Sequence, residues 1–223
     1  MRSWQEVALG LLIALLGLLG FATIRQLARS RIWKRMASID PLTGAANRRG
    51  VDHFGVSAVR NARTLHEPLS LLAVDLDLFK RVNDRFGHAA GDRALQQIAS
   101  ACQHALREHD LFGRIGGEEF LAVLPGTTLA HAAEVAERLR SRVETLAFED
   151  LPSDLHATIS VGVVELSADD GSFADLEKRA DNTLYRAKTG GRNRVVIAGE
   201  CSFDAAASEP SATEPEGAAQ ATS

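Results

Sequence analysis

The sequence predicts an α+β domain, a ferredoxin-like β-α-β-β-α-β sheet with helices packed on one face, preceded by a transmembrane helix. Three observations predict it. An almost wholly apolar run at 69–74 ends in carboxylates, a Gly-Gly connection of hairpin length joins two short apolar runs at 111–124, and helical periodicities alternate with these strands. Ahead of them stand eighteen residues without a charge.

Val7 to Ile24 (VALGLLIALLGLLGFATI) is that uncharged stretch, about 27 Å long as a helix and enough for one crossing. No small-x-small cleavage site follows, so it reads as an uncleaved anchor rather than a signal peptide. Arg25, Arg29, Arg31, Lys34 and Arg35 come within eleven positions of its end, which by the positive-inside rule keeps the rest of the chain cytoplasmic. The expected organisation is a stub and membrane helix at 1–24, a basic helical linker at 25–39, a globular domain at 40–199 and a disordered acidic tail at 200–223. In the linker Leu27, Ile32, Met36 and Ile39 form a loose apolar seam, equally readable as a self-pairing stalk or a solvated connector.

Within the domain, Asp40-Pro41-Leu42-Thr43-Gly44 reads as a turn. Leu69 to Val74 lacks alternation, as expected of a strand covered on both sides. Leu95, Ile98, Ala99, Cys102 and Leu106 recur at steps of three and four, marking a helix from about 92 to 107, and a second runs from about 129 to 146. Between them Leu111–Ile115 and Phe120–Leu124 flank Gly116-Gly117-Glu118-Glu119, predicting an antiparallel hairpin. A strand at 157–165, a helix at 174–188 and a closing strand at 194–198 complete the order.

Composition narrows the function. Of 223 residues 45% are hydrophobic and 24% charged, which excludes collagen, wholesale disorder and a multi-span membrane protein. The formal charge of -4 conceals a basic first segment, but the central domain lacks the positive excess that nucleic-acid phosphates require, so no nucleic-acid partner is expected. Two cysteines, Cys102 and Cys201, form neither a disulfide framework nor a metal-ligand spacing.

The chemistry concentrates at strand ends. Asp75 follows the buried strand and Glu118 the glycine turn, so both are tethered to one sheet and can converge on a divalent cation, with the Leu76 carbonyl as a third donor. Mg²⁺ suits such a pair, since it takes one or two carboxylates plus waters and phosphates. Gly116 and Gly117 permit positive φ and close approach of a phosphorylated ligand. Lys80, Lys188 and Arg192 can hold phosphates. Asn83 and Asp92 can read a purine edge, or else cap helices.

Four blocks, DPLTGAANRR at 40–49, DLDLFKRVNDRFGHAAGD at 75–92, RIGGEEF at 114–120 and ADNTLYRAKTGGRNRV at 180–195, resemble the GGDEF-domain diguanylate cyclase family. The main departure is Ala45, where leucine is common in that family. The resemblance implies a palm-like nucleotidyl cyclase domain that condenses two GTP into cyclic di-GMP with release of two pyrophosphates, as a homodimer; with the uncharged span at 7–24 the expected location is the bacterial inner membrane. It implies metal ligation of Mg²⁺, or Mn²⁺, by Asp75, Leu76 and Glu118. Guanine would be read by Asn83 and Asp92 with His88 nearby, and phosphates bound by Lys80, Arg114, Lys188 and Arg192, unless Arg114 instead braces the hairpin. Glu118 and Glu119 are the catalytic pair, their division of labour open. Arg107 and Asp110 resemble the family's inhibitory product site, with Arg138 in support. A nucleotide receptor without catalysis is the alternative; the intact GGEEF argues against it.

Overall fold

A computed structural model describes residues 38–199. The expected membrane helix at 7–24, all but the end of the linker and the tail at 200–223 lie outside the described residues, and among those described no helix is long and apolar enough to cross a membrane.

The elements are β1 (Ala46–Asn47), α1 (Arg48–Leu65), β2 (Leu69–Leu76), α2 (Phe79–Phe86), α3 (His88–His104), β3 (Leu111–Arg114), β4 (Glu119–Pro125), α4 (Leu129–Glu144), β5 (Ile159–Glu165), α5 (Phe173–Thr189) and β6 (Val195–Ile197). They build one mixed sheet in the order β1-β3-β4-β2-β5-β6. β2 pairs antiparallel with β4 and with β5, β3 with β4, while β1 and β6 add parallel edges.

The expectation of helices on one face is corrected: both faces are covered. Leu72, Val74 and Leu76 of β2 pack with Leu95 and Ile98 of α3 and Leu139 of α4. Leu69, Leu71 and Ala73 pack with Val59 of α1 and Leu176 and Leu184 of α5. All eight β2 residues are buried, which is why the run shows no polar alternation.

Three elements were not expected. The buried side of α1 is Val51, Gly55, Ala58, Val59 and Ala62, small residues among arginines that give a weak apolar pattern. Gly55 lets α1 close on the ring of Phe173 in α5. Short α2 buries only Phe79 and Val82, and Gly87, at φ 83°, breaks it from α3, which begins at 88 rather than 92. β1 is two residues long, paired with Gly113 and Arg114 on one side and bridged through Ala46 to Ile39 on the other.

Candidate active site

The site is built where β2 ends. Asp75 lies opposite Glu119 of β4 and Ser160 of β5 and is 4% exposed. One residue further, the Leu76 amide donates to the Glu118 carbonyl at 3.2 Å, so the hairpin turn is tied to the strand end and brings Glu118 beside Asp75. Glu119 is not part of the turn, as the sequence grouping had it, but the first residue of β4.

The electrostatics register this convergence. Burial pushes the Asp75 carboxyl up from 3.8 to about 6; Lys188, whose Nζ is 2.8 Å from its Oδ2, opposes the rise, and the charges of Glu118 and Glu119 add to it. Glu119 also faces α5, where burial and the Glu119 charge raise the Asp181 carboxyl. Arg48, Glu119, Glu177, Asp181, Tyr185 and Lys188 line a cleft of about 410 Å³ there. Glu177 is gripped by Arg48 through two hydrogen bonds of 2.6 and 3.2 Å.

The hairpin glycines work differently from expectation. Neither Gly116 nor Gly117 has a positive φ. A Cβ at Gly116 would strike the folded-back Glu119 carboxylate, whereas Gly117 faces open space within 4 Å, leaving its backbone approachable. Arg114 is committed to this turn: Nε and Nη2 donate to the Gly117 carbonyl at 3.1 and 2.6 Å, and Nη1 to Asp40 Oδ1 at 3.2 Å. That is the bracing alternative the sequence left open. Asp40 in turn accepts from the Thr43 amide and hydroxyl at 2.9 and 2.7 Å, closing the turn before β1.

Lys80 and His88 are exposed, on α2 and at the start of α3. Asn83 on α2 and Asp92 on α3 cap neither helix; α2 starts after Leu78 and α3 after Gly87, without side-chain caps. Asn83 Oδ1 lies where a Cβ at residue 91 would stand, so Gly91 makes its room. Arg192 lies beyond α5 in a turn, at φ 64°.

Arg107 and Asp110 are elsewhere, in the α3–β3 connection. They line a groove of about 900 Å³ with Arg49, His53 and Phe54 of α1. Their link runs through backbone: the Arg107 amide donates to Asp110 Oδ2 at 2.9 Å. The buried Asp110 Oδ1 has no partner. Arg138 of α4 donates to the Ala105 carbonyl at 3.0 Å, bracing the start of the same connection.

The donor set fits Mg²⁺ rather than a closed protein cage. Among the described residues no three histidine, cysteine or acidic side chains gather around one point, and two oxygen donors near open backbone are what that ion uses alongside phosphates. Sequence reasoning missed Asp40, Arg48, Asp77, Glu177, Asp181 and Asn193. Asp77 had a local signal, the period-two spacing that puts it on the same side of the chain as Asp75, and Asp40, Arg48, Asp181 and Asn193 fall inside the blocks that mark the family, whereas Glu177 lies outside them.

Residues 37–194 match the family profile described as diguanylate cyclase, GGDEF domain. The chain belongs to the GGDEF-domain family. A diguanylate cyclase of Vibrio cholerae is 38% identical over 163 residues, 73% of this chain and 50% of that protein. The response regulator PleD of Caulobacter vibrioides is 40% identical over 163 residues, covering 72% of this chain and 36% of its own. The crystal structure of the coiled coil and GGDEF domain of DgcB from Caulobacter crescentus, in complex with c-di-GMP, superposes with a TM-score of 0.73 at 29% identity, over 84% of this chain and 99% of that one. The chain thus spans half or less of these two full-length relatives, and the GGDEF domain is what they share.

Proposed function

We propose that this chain is a diguanylate cyclase that joins two GTP molecules into cyclic di-GMP and releases two pyrophosphates. The observation that carries the reading is the convergence of Asp75 and Glu118 from separate stretches of chain, tied by the bond from the Leu76 amide to the Glu118 carbonyl. Asp75, Glu118 and the Leu76 carbonyl would hold Mg²⁺ or Mn²⁺. Bound there, the metal neutralises triphosphate charge and makes the attacking hydroxyl more acidic. Asn83 and Asp92, with His88 nearby, hold the guanine edge: a carboxylate accepts from its ring N–H and amino group, and an amide can do both. Lys80, Lys188 and Arg192 hold phosphates, Lys188 exchanging Asp75 for a substrate oxygen.

In each half-reaction the 3′-oxygen of one GTP bonds to the α-phosphorus of the other, the bond to the β-phosphate oxygen breaks, and pyrophosphate leaves. The hydroxyl proton passes to the Glu118–Glu119 pair. Each domain presents one nucleotide, so a homodimer supplies the in-line placement that solution encounter lacks. The membrane helix at 7–24 holds the chain in the bacterial inner membrane with the domain cytoplasmic, and confinement to a plane raises the local concentration of partners. Product bound at Arg107 and Asp110, with Arg138 steadying that connection, slows turnover. The partnerless Asp110 Oδ1 supports this as an acceptor for a guanine edge.

The test is the full-length chain in detergent, stripped of carried-over nucleotide and incubated with GTP and Mg²⁺. Cyclic di-GMP identified by mass, and its loss in Glu118→Gln, are expected. GTP that stays intact at high protein concentration rejects catalysis and leaves a nucleotide receptor.

A further inference from the structure

Asp77 has no part in the chemistry above, yet it is among the best satisfied acids in the domain. It is 9% exposed. Its Oδ1 accepts from the Ser160 hydroxyl at 2.6 Å, and its Oδ2 from the Thr158 hydroxyl at 2.7 Å and the Asn193 amide at 2.9 Å. The first two partners are on or beside β5, but the third belongs to the turn after α5. In that turn Arg192 and Asn193 stand at φ 64° and 44°, successive non-glycine residues in the left-handed region, a conformation that persists only where surroundings impose it.

Asn193 is restrained from two sides. Besides its amide bond to Asp77, its Oδ1 accepts from Arg140 at 2.7 Å and its Nδ2 donates to Glu144 at 2.7 Å, both on α4. Arg192 itself has its amide on the Ala187 carbonyl at 3.1 Å, and its carbonyl accepts from Arg194. Its exposed side chain therefore takes its direction from a backbone pinned on both sides. Asp75 and Asp77, two residues apart, thus hold the two parts of one cationic edge: Asp75 pairs with Lys188 in the last turn of α5, and Asp77 holds the turn carrying Arg192.

We infer that Asp77 is a positioning residue for the triphosphate: through the Asn193 amide it fixes the left-handed turn that aims Arg192 at the phosphates. The inference rests on the nucleotide site proposed above. The probe is αβ-methylene-GTP, which cannot release pyrophosphate, titrated with Mg²⁺ onto full-length wild type, Asp77→Ala, Arg192→Ala and the double variant. Each single change weakens binding about tenfold, as loss of an orienting partner does. The double variant binds no worse than Arg192→Ala alone, since a group acting only through another has nothing left to lose. Asp77→Asn keeps an acceptor for the Asn193 amide and stays within about threefold of wild type, one hydrogen bond being retained.

Additive losses in the double variant, or unaltered affinity in Asp77→Ala, overturn the inference. Should Asp77→Ala not fold, Asp77→Ser takes its place in the same cycle, its hydroxyl standing about where the Asp77 Cγ was and so falling short of the Asn193 amide. Wild-type chain that binds the analogue but makes no cyclic di-GMP from GTP overturns the cyclase reading and leaves this one standing. Wild type that does not bind the analogue overturns both.

Discussion

Replacing Asp75 by asparagine should make the domain more stable and inactive at once. Asp75 sits buried at the strand end, its carboxyl raised from 3.8 to about 6 by burial first, with Lys188 opposing and Glu118 and Glu119 adding. A carboxyl held above its ordinary value keeps its proton longer in the folded chain than in the unfolded one. Its contribution to stability is therefore complete below about pH 4 and is lost as pH rises through about 6. At about 1.4 kcal/mol per pH unit, the rise amounts to a cost of about 3 kcal/mol at pH 7. The Lys188 attraction is already counted in that figure, and asparagine, a neutral isostere, avoids the cost. For a domain of this size the gain corresponds to about 6 to 12 °C in melting temperature. Thermal unfolding of both proteins with chelator present, at pH 7 and again near pH 4, reads the effect. The advantage should be large at pH 7 and nearly vanish near pH 4, while GTP turnover disappears. Equal melting temperatures at pH 7, or an advantage undiminished near pH 4, would refute burial of a reluctant carboxylate as the basis of this site.

Other consequences follow from single contacts. Gly162 of β5 faces the α5 backbone, where an added Cβ would come within 2.6 Å of the Ala180 carbonyl; Gly162→Ala should lower stability by about 1 to 3 kcal/mol, seen as an earlier thermal transition, and an unchanged melt would contradict the packing. Arg107→Ala should raise the cyclic di-GMP concentration needed for half-inhibition by about tenfold or more, as expected for a charge-assisted hydrogen bond; inhibition curves that superpose on wild type would remove the groove from regulation. Asp40→Ala should loosen the signature hairpin through Arg114, speeding amide exchange at Gly116 and Gly117; exchange rates that stay as in wild type would show that Gly117 alone holds the arginine.

What could be read locally was carried by neighbours in sequence. Leu69 to Val74 shows a strand because each of its residues is apolar, and Asp75 and Glu118 stand out because each ends or begins such a run. The hairpin is legible for the same reason, since its turn and both strands lie within fifteen residues. Helix α1 hides because its buried positions are small and its arginines dominate the pattern, and α2 because eight residues with two buried side chains have little periodicity to show.

The sequence by itself determined the strand and hairpin order, the acidic pair, the cationic positions and the blocks that mark the family, because these depend on residue types at short spacing. Only the tertiary structure decided that helices cover both faces, that Arg114 closes on Asp40 across 74 positions, and that Asp77 reaches Asn193 across 116. Such partners are chosen by the sheet: strand order and register bring together atoms from distant stretches, and a hydrogen bond of 2.9 Å between them leaves no trace in the residues beside either one.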